Sequence, residues 1–252
     1  MSEVRFSRTA LLLGPSSMEK LKNARVAIIG LGGVGSYAVE ALVRAGIGHF
    51  TLIDFDVVGE SNFNRQLLAL NHTLGKPKTE VMKQHIEDIN PDAEVKTYPV
   101  FLDSTNREKL LPGQDFYLDA IDSLGPKCGL LEFAVKNNFK IISVMGSGNR
   151  LDPEQIHISP LNQTVNCPLA RRVRKYLRSW GVDCNFPCVY SSELPRQILK
   201  DIPSPDEDLL HRGRIRGKVG TISYMPAIMG MMAASWIIRQ ILRMITLTLQ
   251  SV

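Results

Sequence analysis

Cysteine is scarce in this sequence, and the cysteines that occur form no recognisable metal or disulfide pattern. There are four among 252 residues, at Cys128, Cys167, Cys184 and Cys188. No CxxC pair is present, and Cys184 and Cys188 alone cannot supply the four ligands of a structural zinc site. A disulfide framework is excluded as well, because such frameworks need densely spaced cysteines in short chains. A zinc site is therefore not expected, and a reducing cytoplasm is the expected compartment.

The sequence also lacks a secretory leader and a clear membrane span. Its first residues include Glu3, Arg5 and Arg8 instead of an apolar run. Residues 219–238 are uncharged and have the length of a membrane-spanning helix, but Pro226 within them would start or kink a helix. A buried helix or subunit interface is favoured over a membrane span, and peripheral membrane association through 219–238 stays open.

No low-complexity tract or extreme charge balance occurs. Lys and Arg number 30 against 25 Asp and Glu, for a net charge of +5, which permits a polyanionic partner without requiring one. Basic residues are concentrated on a predicted helix over 169–180 and in a later stretch. Either group could contact nucleic-acid phosphates or form an ordinary solvated face. The two groups are Arg171, Arg172, Arg174, Lys175 and Arg178, and Arg212, Arg214, Arg216 and Lys218.

Predicted strands alternate with helical patterns through the first 150 residues. The predicted strands lie at 25–29, 50–53, 94–98, 116–120 and 141–144. The helical patterns lie at 33–45, 79–89 and 126–137. This alternation predicts an α/β fold with a Rossmann-like, mainly parallel sheet and helices on both faces. Because the carboxyl ends of such strands meet at one edge, we expect the ligand site there.

A glycine motif follows the first predicted strand. Gly30, Gly32, Gly33 and Gly35 form GxGxxG between that strand and a helix, where backbone amides can approach a phosphate. Asp54 ends the second strand, and a carboxylate there can accept hydrogen bonds from ribose hydroxyls. These residues predict a nucleotide site but do not distinguish NAD from ATP.

The residues after Asp54 favour ATP. Arg65 lies in the segment SNFNRQ, and Lys78 starts the next helix. Hydride transfer needs no such cations, whereas cleavage of the α–β bond of ATP does, because charge develops on the phosphates. Asp122 follows the fourth strand in DAIDS and can hold Mg²⁺, although Asp122 or Ser123 could instead cap a helix. Asp119 is expected to point elsewhere.

The segments GLGGVGS, LIDFD, SNFNRQ, GKPK and DAIDS together resemble the adenylating domain of the ubiquitin-activating superfamily. That superfamily includes the bacterial activators of sulfur-carrier proteins, and the resemblance covers about residues 5 to 150. It implies ATP and Mg²⁺ as ligands, and the segment RFSR further implies a homodimer in which Arg8 reaches the other subunit's site. The implied contacts are Gly33 with the phosphates, Asp54 with ribose, Asn62 and Arg65 with phosphates, Lys78 with the β/γ end, and Asp122, beside Ser123, with magnesium.

The second half resembles one branch of that superfamily. The segments SLGPKCGLLEFAVKN, MGSGNRLDPEQIHI and CVYSSE resemble the tRNA threonylcarbamoyladenosine dehydratases, through about residue 195 and more weakly to 240. The branch implies that ATP adenylates the threonyl carboxylate of threonylcarbamoyladenosine in tRNA and that a group within the same side chain then closes a ring. It sometimes implies a sulfur-relay protein partner. No enzyme thiol is required, so Cys188 is interpreted as structural.

Three alternatives are kept. An adenylyltransferase acting on the C-terminus of a ubiquitin-like or sulfur-carrier protein is disfavoured by the missing zinc cysteines. An NAD-dependent oxidoreductase is disfavoured by Arg65 and Lys78, and a non-catalytic nucleotide-binding module by their joint presence with Asp122. We expect an ATP-binding core over residues 1–150, with 151–252 forming the C-terminal part of the same domain and serving substrate, tRNA and dimer contacts.

Overall fold

A computed structural model describes residues 4–197 and 219–242. The basic group from Arg212 to Lys218 and the acidic stretch 201–208 lie outside the described residues. Within the described residues the strands are β1 Arg25–Ile29, β2 His49–Ile53, β3 Glu94–Tyr98, β4 Phe116–Asp119, β5 Ile141–Val144, β6 Ile156–Pro160 and β7 Pro187–Ser191. The helices are α1 Ser7–Leu13, α2 Pro15–Asn23, α3 Gly35–Ala45, α4 Lys78–Ile89, α5 Arg107–Leu110, α6 Leu124–Lys136, α7 Pro168–Ser179 and α8 Tyr224–Ile241.

The strands form one mainly parallel sheet in the order β3-β2-β1-β4-β5-β7-β6. Only β6 runs antiparallel, against β7. The carboxyl ends of β2, β1, β4 and β5 therefore lie along one side of the sheet, called here the carboxyl edge. The predicted fold class is confirmed, and the five predicted strands differ from the observed ones by at most one residue at an end.

Each helix predicted by its range is present, but its start differs by one or two residues. The helix predicted over 126–137 begins at Leu124, because Pro126 fits in the first turn, where its missing amide costs no hydrogen bond. The helix predicted from residue 33 begins at Gly35, after a tight turn. The sequence pattern predicted no element at α1, α2, α5, β6 or β7.

Alternate residues of β1 pack into two cores on opposite faces of the sheet, as strand geometry requires. Val26 and Ile28 belong to the core shared with α3, α4 and α8. Ala27 and Ile29 belong to the core shared with α6 and α7. Both faces are therefore covered, and a ligand has access at the edges of the sheet.

Most of the uncharged segment 219–238 lies in a helix that packs against the rest of the chain. Helix α8 begins at Tyr224 with Pro226 in its first turn, and most of its contacts are with α3. A Cβ on Gly230 would lie 2.3 Å from the Val34 carbonyl oxygen, so glycine allows this close helix approach. No helix in the described ranges combines the length and the apolar character that a membrane crossing requires.

Candidate nucleotide-binding site

The loop between β1 and α3 turns tightly, and two of its glycines make this turn possible. Gly30 has a φ of +96°, its amide donates to the Ile53 carbonyl at 2.9 Å, and a Cβ would lie 2.8 Å from the Ala120 carbonyl oxygen. A Cβ on Gly35 would lie 1.8 Å from the Gly30 carbonyl oxygen. Side chains are therefore excluded at both positions, and the loop is held against the end of β4.

The middle of the same loop presents backbone amides. In the described part of the chain, the amides of Gly32 and Gly33 have no acceptor, and no side chain caps α3. A Cβ on Gly32 would meet only the Gln66 amide nitrogen, at 3.9 Å, whereas one on Gly33 would lie 3.0 Å from the Arg65 carbonyl oxygen. Unpaired amides at the positive end of a helix can bind an anion, so this loop is a candidate phosphate site.

Asp54 ties this loop to the end of β2. One carboxylate oxygen accepts from the Leu31 amide at 2.6 Å, and the other accepts from the Asp56 amide at 2.8 Å. Burial raises the pKa of Asp54, and Lys78 together with the two backbone hydrogen bonds opposes this rise. The carboxylate therefore fixes the loop backbone, and a ribose contact would use its remaining lone pairs.

Lys78 is buried and already paired. Its Nζ lies 3.0 Å from a carboxylate oxygen of Asp56, and its amide donates to the Asp56 carbonyl at 3.0 Å. The Lys78 side chain is 5% exposed and that of Asp56 is 40% exposed. Sequence reasoning assigned no role to Asp56, although the second aspartate of LIDFD was the signal available.

The segment 61–66 covers the glycine loop. The Arg65 guanidinium donates to the Ser61 carbonyl at 2.7 Å and to the Asn64 side-chain oxygen at 2.9 Å. The Asn62 side chain accepts from the Gly59 amide at 3.2 Å. The Gln66 side-chain oxygen is buried without a hydrogen-bond partner among the described residues, and its amide faces Gly32. Gln66 was not among the predicted site residues, although it lies within SNFNRQ.

Two carboxylates at the end of β4 have different surroundings. Asp119 is fully buried, with the Lys127 Nζ at 2.7 Å and the Ser143 hydroxyl at 2.5 Å, so the expectation that it points away from the ligand is confirmed. Asp122 is exposed beyond the strand, with the Ser123 hydroxyl at 3.4 Å. Ser123 occupies the N-cap position of α6, and its side chain makes no capping hydrogen bond. The capping alternative for Asp122 is therefore wrong.

The later part of the chain closes the site from the side of β5. Asn149 accepts from the Gly220 amide at 2.7 Å through its side chain and donates its own amide to the Gly220 carbonyl at 2.8 Å. The Asn64 side chain donates to the Thr221 carbonyl at 3.2 Å. Beneath them, the buried Arg150 guanidinium donates to the carbonyls of Gly146, Gly148, Asn166 and Glu193. Sequence reasoning missed Arg150 because its partners are distant backbone atoms.

Arg8 is not brought to the site of its own chain. It is exposed on α1, which packs on α2. The neighbouring Arg5 donates to the carbonyls of Asp88 and Ile89 at the last turn of α4, at 3.3 and 2.8 Å. Lys78 starts that same helix, which is roughly 18 Å long at 1.5 Å per residue. The N-terminal segment is therefore at the opposite edge of the sheet.

The surroundings of the cysteines bear on whether any of them can act as a nucleophile. All four are buried, and burial raises the pKa of Cys188 to about 12 and that of Cys128 to about 11. Because the thiolate is the reactive form, neither side chain is activated at neutral pH. Cys188 is fully buried, as expected of a structural thiol.

A parallel sheet with a phosphate-type glycine loop, a carboxylate at the end of β2 and cations beside the loop defines a nucleotide-binding protein of the Rossmann-like class. The model of the ThiF family matches residues 6–251. Similar proteins include the tRNA threonylcarbamoyladenosine dehydratases of Bacillus subtilis, 35% identical over 94% of each chain, and of Haemophilus influenzae, 42% identical over 73% of this chain and 70% of that one. The chain belongs to the ThiF family and, within it, to the tRNA threonylcarbamoyladenosine dehydratases.

A solved structure has the same fold. The Escherichia coli tRNA N6-threonylcarbamoyladenosine dehydratase, in complex with ATP, matches with a TM-score of 0.85 and 32% identity. The match covers 96% of this chain and 95% of that chain. The similarity therefore extends through both halves of the sheet and beyond the glycine loop.

Proposed function

We propose that this chain catalyses the ATP-dependent dehydration of threonylcarbamoyladenosine in tRNA. ATP adenylates the threonyl carboxylate, and a nucleophile within the same side chain then expels AMP and closes the ring. The observation that carries the proposal is the grouping of the Gly30–Gly35 loop, Lys78, Arg65 and Asp122 at the carboxyl edge of a chain whose curated relatives are named for this reaction. Proximity within one side chain replaces a covalent enzyme intermediate.

The residues present suit a triphosphate. The amides of Gly32 and Gly33 and the positive end of α3 are available to the phosphates, and the E. coli relative is described in complex with ATP. In the proposed complex Asn62 and Arg65 contact phosphate oxygens, and Lys78 leaves Asp56 for the β/γ end, where negative charge builds up as pyrophosphate departs. Gly30, Gly35, Asp54 and Ser123 complete the nucleotide site.

Asp122 is the proposed magnesium ligand. Its carboxylate is exposed at the end of β4, whereas that of Asp119 is enclosed with Lys127. Magnesium is commonly bound by one or two carboxylates together with substrate phosphates, so one exposed carboxylate beside a triphosphate fits this chemistry. The ion would neutralise charge on the phosphates while Asp122 fixes its position.

The proposed active form is a homodimer in which Arg8 enters the partner's site. One chain keeps Arg8 far from its own glycine loop, and α1 exposes Leu11 and Leu12 at 87% and 82%. An exposed apolar surface of this kind suits burial against a second copy.

We further propose that residues 151–252 form the substrate and dimer part of a single domain with the core 1–150. A tRNA substrate and four buried thiols suit a reducing cytoplasm, and a sulfur-relay partner stays a prediction.

The carrier-protein alternative is not adopted. An activator that transfers a carrier protein to its own cysteine needs a reactive thiol, and the buried Cys128 and Cys188 have raised pKa values. The most similar proteins named above are dehydratases rather than carrier-protein activators.

The test measures ATP–pyrophosphate exchange and AMP release with threonylcarbamoylated tRNA, with unmodified tRNA and with no tRNA. We expect AMP only with the modified tRNA, because only this tRNA offers the carboxylate. Arg65→Ala and Asp122→Ala should lower AMP formation about 100-fold or more, as loss of a group that stabilises developing charge does. AMP formation that does not depend on the modification would refute the proposal.

Two matched substitutions serve as controls. Arg44→Ala removes an arginine at the far end of α3, where it pairs with Glu40. Glu108→Ala removes an exposed carboxylate on α5. Both should leave AMP formation unchanged. Mixing the Arg8→Ala and Arg65→Ala variants tests the dimer. In a mixed dimer, the chain that keeps Arg65 receives an intact Arg8 from its partner, so one site is complete and activity should return.

A further inference from the structure

Helix α7 combines a buried apolar face with a basic exposed face. Ala170, Val173 and Leu177 are buried in the core, and no acidic residue occurs between Gln155 and Val182. The exposed cations are Arg171, Arg172, Lys175 and Arg178. A surface of this kind attracts a polyanion, because no carboxylate within the segment offsets the charge.

Arg174 is not part of this surface. Its guanidinium is partly buried and donates to the carbonyls of Leu161 and Thr164 at 3.1 and 2.8 Å, and it also contacts the Thr164 hydroxyl. It therefore holds the chain before α7 in place. The sequence cluster thus separates into one structural arginine and four exposed cations.

Two aromatic rings stand among the exposed cations. Tyr176 and Trp180 are 44% and 43% exposed, and their ring centroids lie 6.1 Å apart with the planes inclined by 59°. Exposed rings beside cations are the groups on which proteins stack unpaired bases while binding the backbone phosphates. A tRNA carries its modified adenosine beside the anticodon, in a single-stranded loop with bases of this kind.

Helix α7 begins at the carboxyl edge. The Arg150 guanidinium donates hydrogen bonds to the Asn166 carbonyl, just before the helix, and to the Gly146 carbonyl, just after β5. A Cβ on Gly146 would lie 3.7 Å from the Leu169 Cβ in the first turn of α7. The helix is roughly 18 Å long at 1.5 Å per residue and packs along the face of the sheet, so Arg171 lies near the carboxyl edge, and Tyr176 and Trp180 lie roughly 12 to 18 Å along the helix from it.

We propose that Arg171, Lys175, Tyr176 and Trp180, called here the α7 face, bind the unpaired loop of the substrate tRNA. The cations contact backbone phosphates, and the rings stack on unpaired bases farther along the loop from the one presented to the nucleotide site. The proposal rests on the proposed function for the identity of the RNA. Basic aromatic helices also bind anionic membranes, but they do so by inserting an apolar face, and that of α7 is packed against α6 and the sheet.

The first experiment measures binding of unmodified tRNA over a range of salt concentrations. Arg171→Ala combined with Lys175→Ala should weaken binding and lower the slope of log K against log salt by about 1.5, since each lost phosphate contact removes about 0.7 to 0.9. The matched control is Lys20→Ala with Lys22→Ala, which removes the same charge from exposed positions on α2. An equal slope for both double variants would overturn the proposal.

The second experiment separates stacking from charge. Tyr176→Ala should weaken tRNA binding about tenfold without changing the salt slope, as loss of one base–aromatic stack does. Tyr176→Phe keeps the ring and should restore the affinity. Wild-type affinity in Tyr176→Ala, or equal weakening in Tyr176→Phe, would contradict a stacking role.

The remaining outcomes separate this surface from the reaction and from a membrane. tRNA binding and AMP release are measured separately. If the α7 variants bind tRNA as tightly as the wild-type enzyme does, the α7 face is not the tRNA-binding surface, whatever the result for AMP release. If the wild-type enzyme binds tRNA but its AMP release does not depend on the modification, the proposed function is wrong and the α7 face is not affected. Loss of binding to vesicles of anionic phospholipid, with tRNA binding intact, would assign the α7 face to a membrane.

Discussion

The carboxyl ends of β2 and β4 each have two aspartates in or just after the strand and approach one lysine, yet the two ion pairs differ in exposure. After β2, Lys78 pairs with Asp56, whose side chain is 40% exposed. After β4, Lys127 pairs with Asp119, and both side chains are fully buried. The first pair faces the nucleotide site, and the second is enclosed beneath it.

The difference indicates which pair can change partners. The Lys127 Nζ also donates to the Ile121 carbonyl at 2.8 Å, so the enclosed pair fixes the backbone just before Asp122. Separating it would leave a charge buried without compensation. The Lys78–Asp56 pair is open on one side, so Lys78 can exchange the carboxylate for a phosphate. The enclosed pair supports the candidate site, and Lys78 of the open pair is proposed to bind the phosphates.

The largest expected effect is on stability, from Lys127→Met. Removing one partner of a buried pair leaves the Asp119 charge uncompensated, which costs about 3 to 5 kcal/mol in the free energy of unfolding. Urea-induced unfolding followed by circular dichroism measures this loss. The matched control is Lys136→Met on the same helix, where the Glu132 pair is exposed and we expect a change below about 1 kcal/mol. Equal unfolding midpoints for the two variants would remove the distinction between the two ion pairs.

The next effect is on catalysis, from Lys78→Met. Because Lys78 is proposed to stabilise charge on the departing phosphates, AMP formation should fall about 100- to 1000-fold. Lys83→Met, on the same helix and paired only loosely with Glu87 at 4.0 Å, should keep full activity. Radiolabelled AMP release at saturating modified tRNA measures both. A Lys78→Met enzyme with near-normal turnover would place Lys78 with Lys127, as a structural residue.

The sequence predicted the parts of the site that depend on local pattern. The glycine loop, the strand ends and the separate directions of Asp119 and Asp122 follow from residue type and from position relative to β4. Strands β6 and β7 were missed because their antiparallel pairing joins residues about 30 positions apart, such as Ile158 and Val189, and no local pattern reveals it. Whether they form depends on the pairing of β7 with the unpaired side of β5, which the folded sheet provides.

Side-chain partners distant in the sequence could not be predicted. Arg174 and Arg150 look like ordinary surface charges in the sequence, but backbone carbonyls brought together by the fold enclose them. The Asp56–Lys78 pair connects the loop after β2 to the first residue of α4 through tertiary structure, so the LIDFD segment alone does not reveal it. Charge type is thus visible in the sequence, whereas the environment that decides its role is not.

The smallest effect gives the sharpest test of the open pair. If Asp56 competes with phosphate for Lys78, then Asp56→Asn weakens that competition, because the amide can still accept a hydrogen bond but carries no charge. An ion pair open to solvent is worth up to about 1 kcal/mol, so the KM for ATP should fall about two- to fivefold with kcat unchanged. Initial rates of AMP release over a range of ATP concentrations give both constants.

Glu60→Gln is the control for this last substitution. It removes a negative charge from an exposed position in the neighbouring segment, and among the described residues its side chain forms no ion pair with Lys78. An equal fall in KM for both variants would indicate a general reduction of negative potential near the triphosphate, not the release of Lys78. A rise in KM for Asp56→Asn would mean that Asp56 orients Lys78 for ATP, so that the β2 pair, like the enclosed pair after β4, acts as a support.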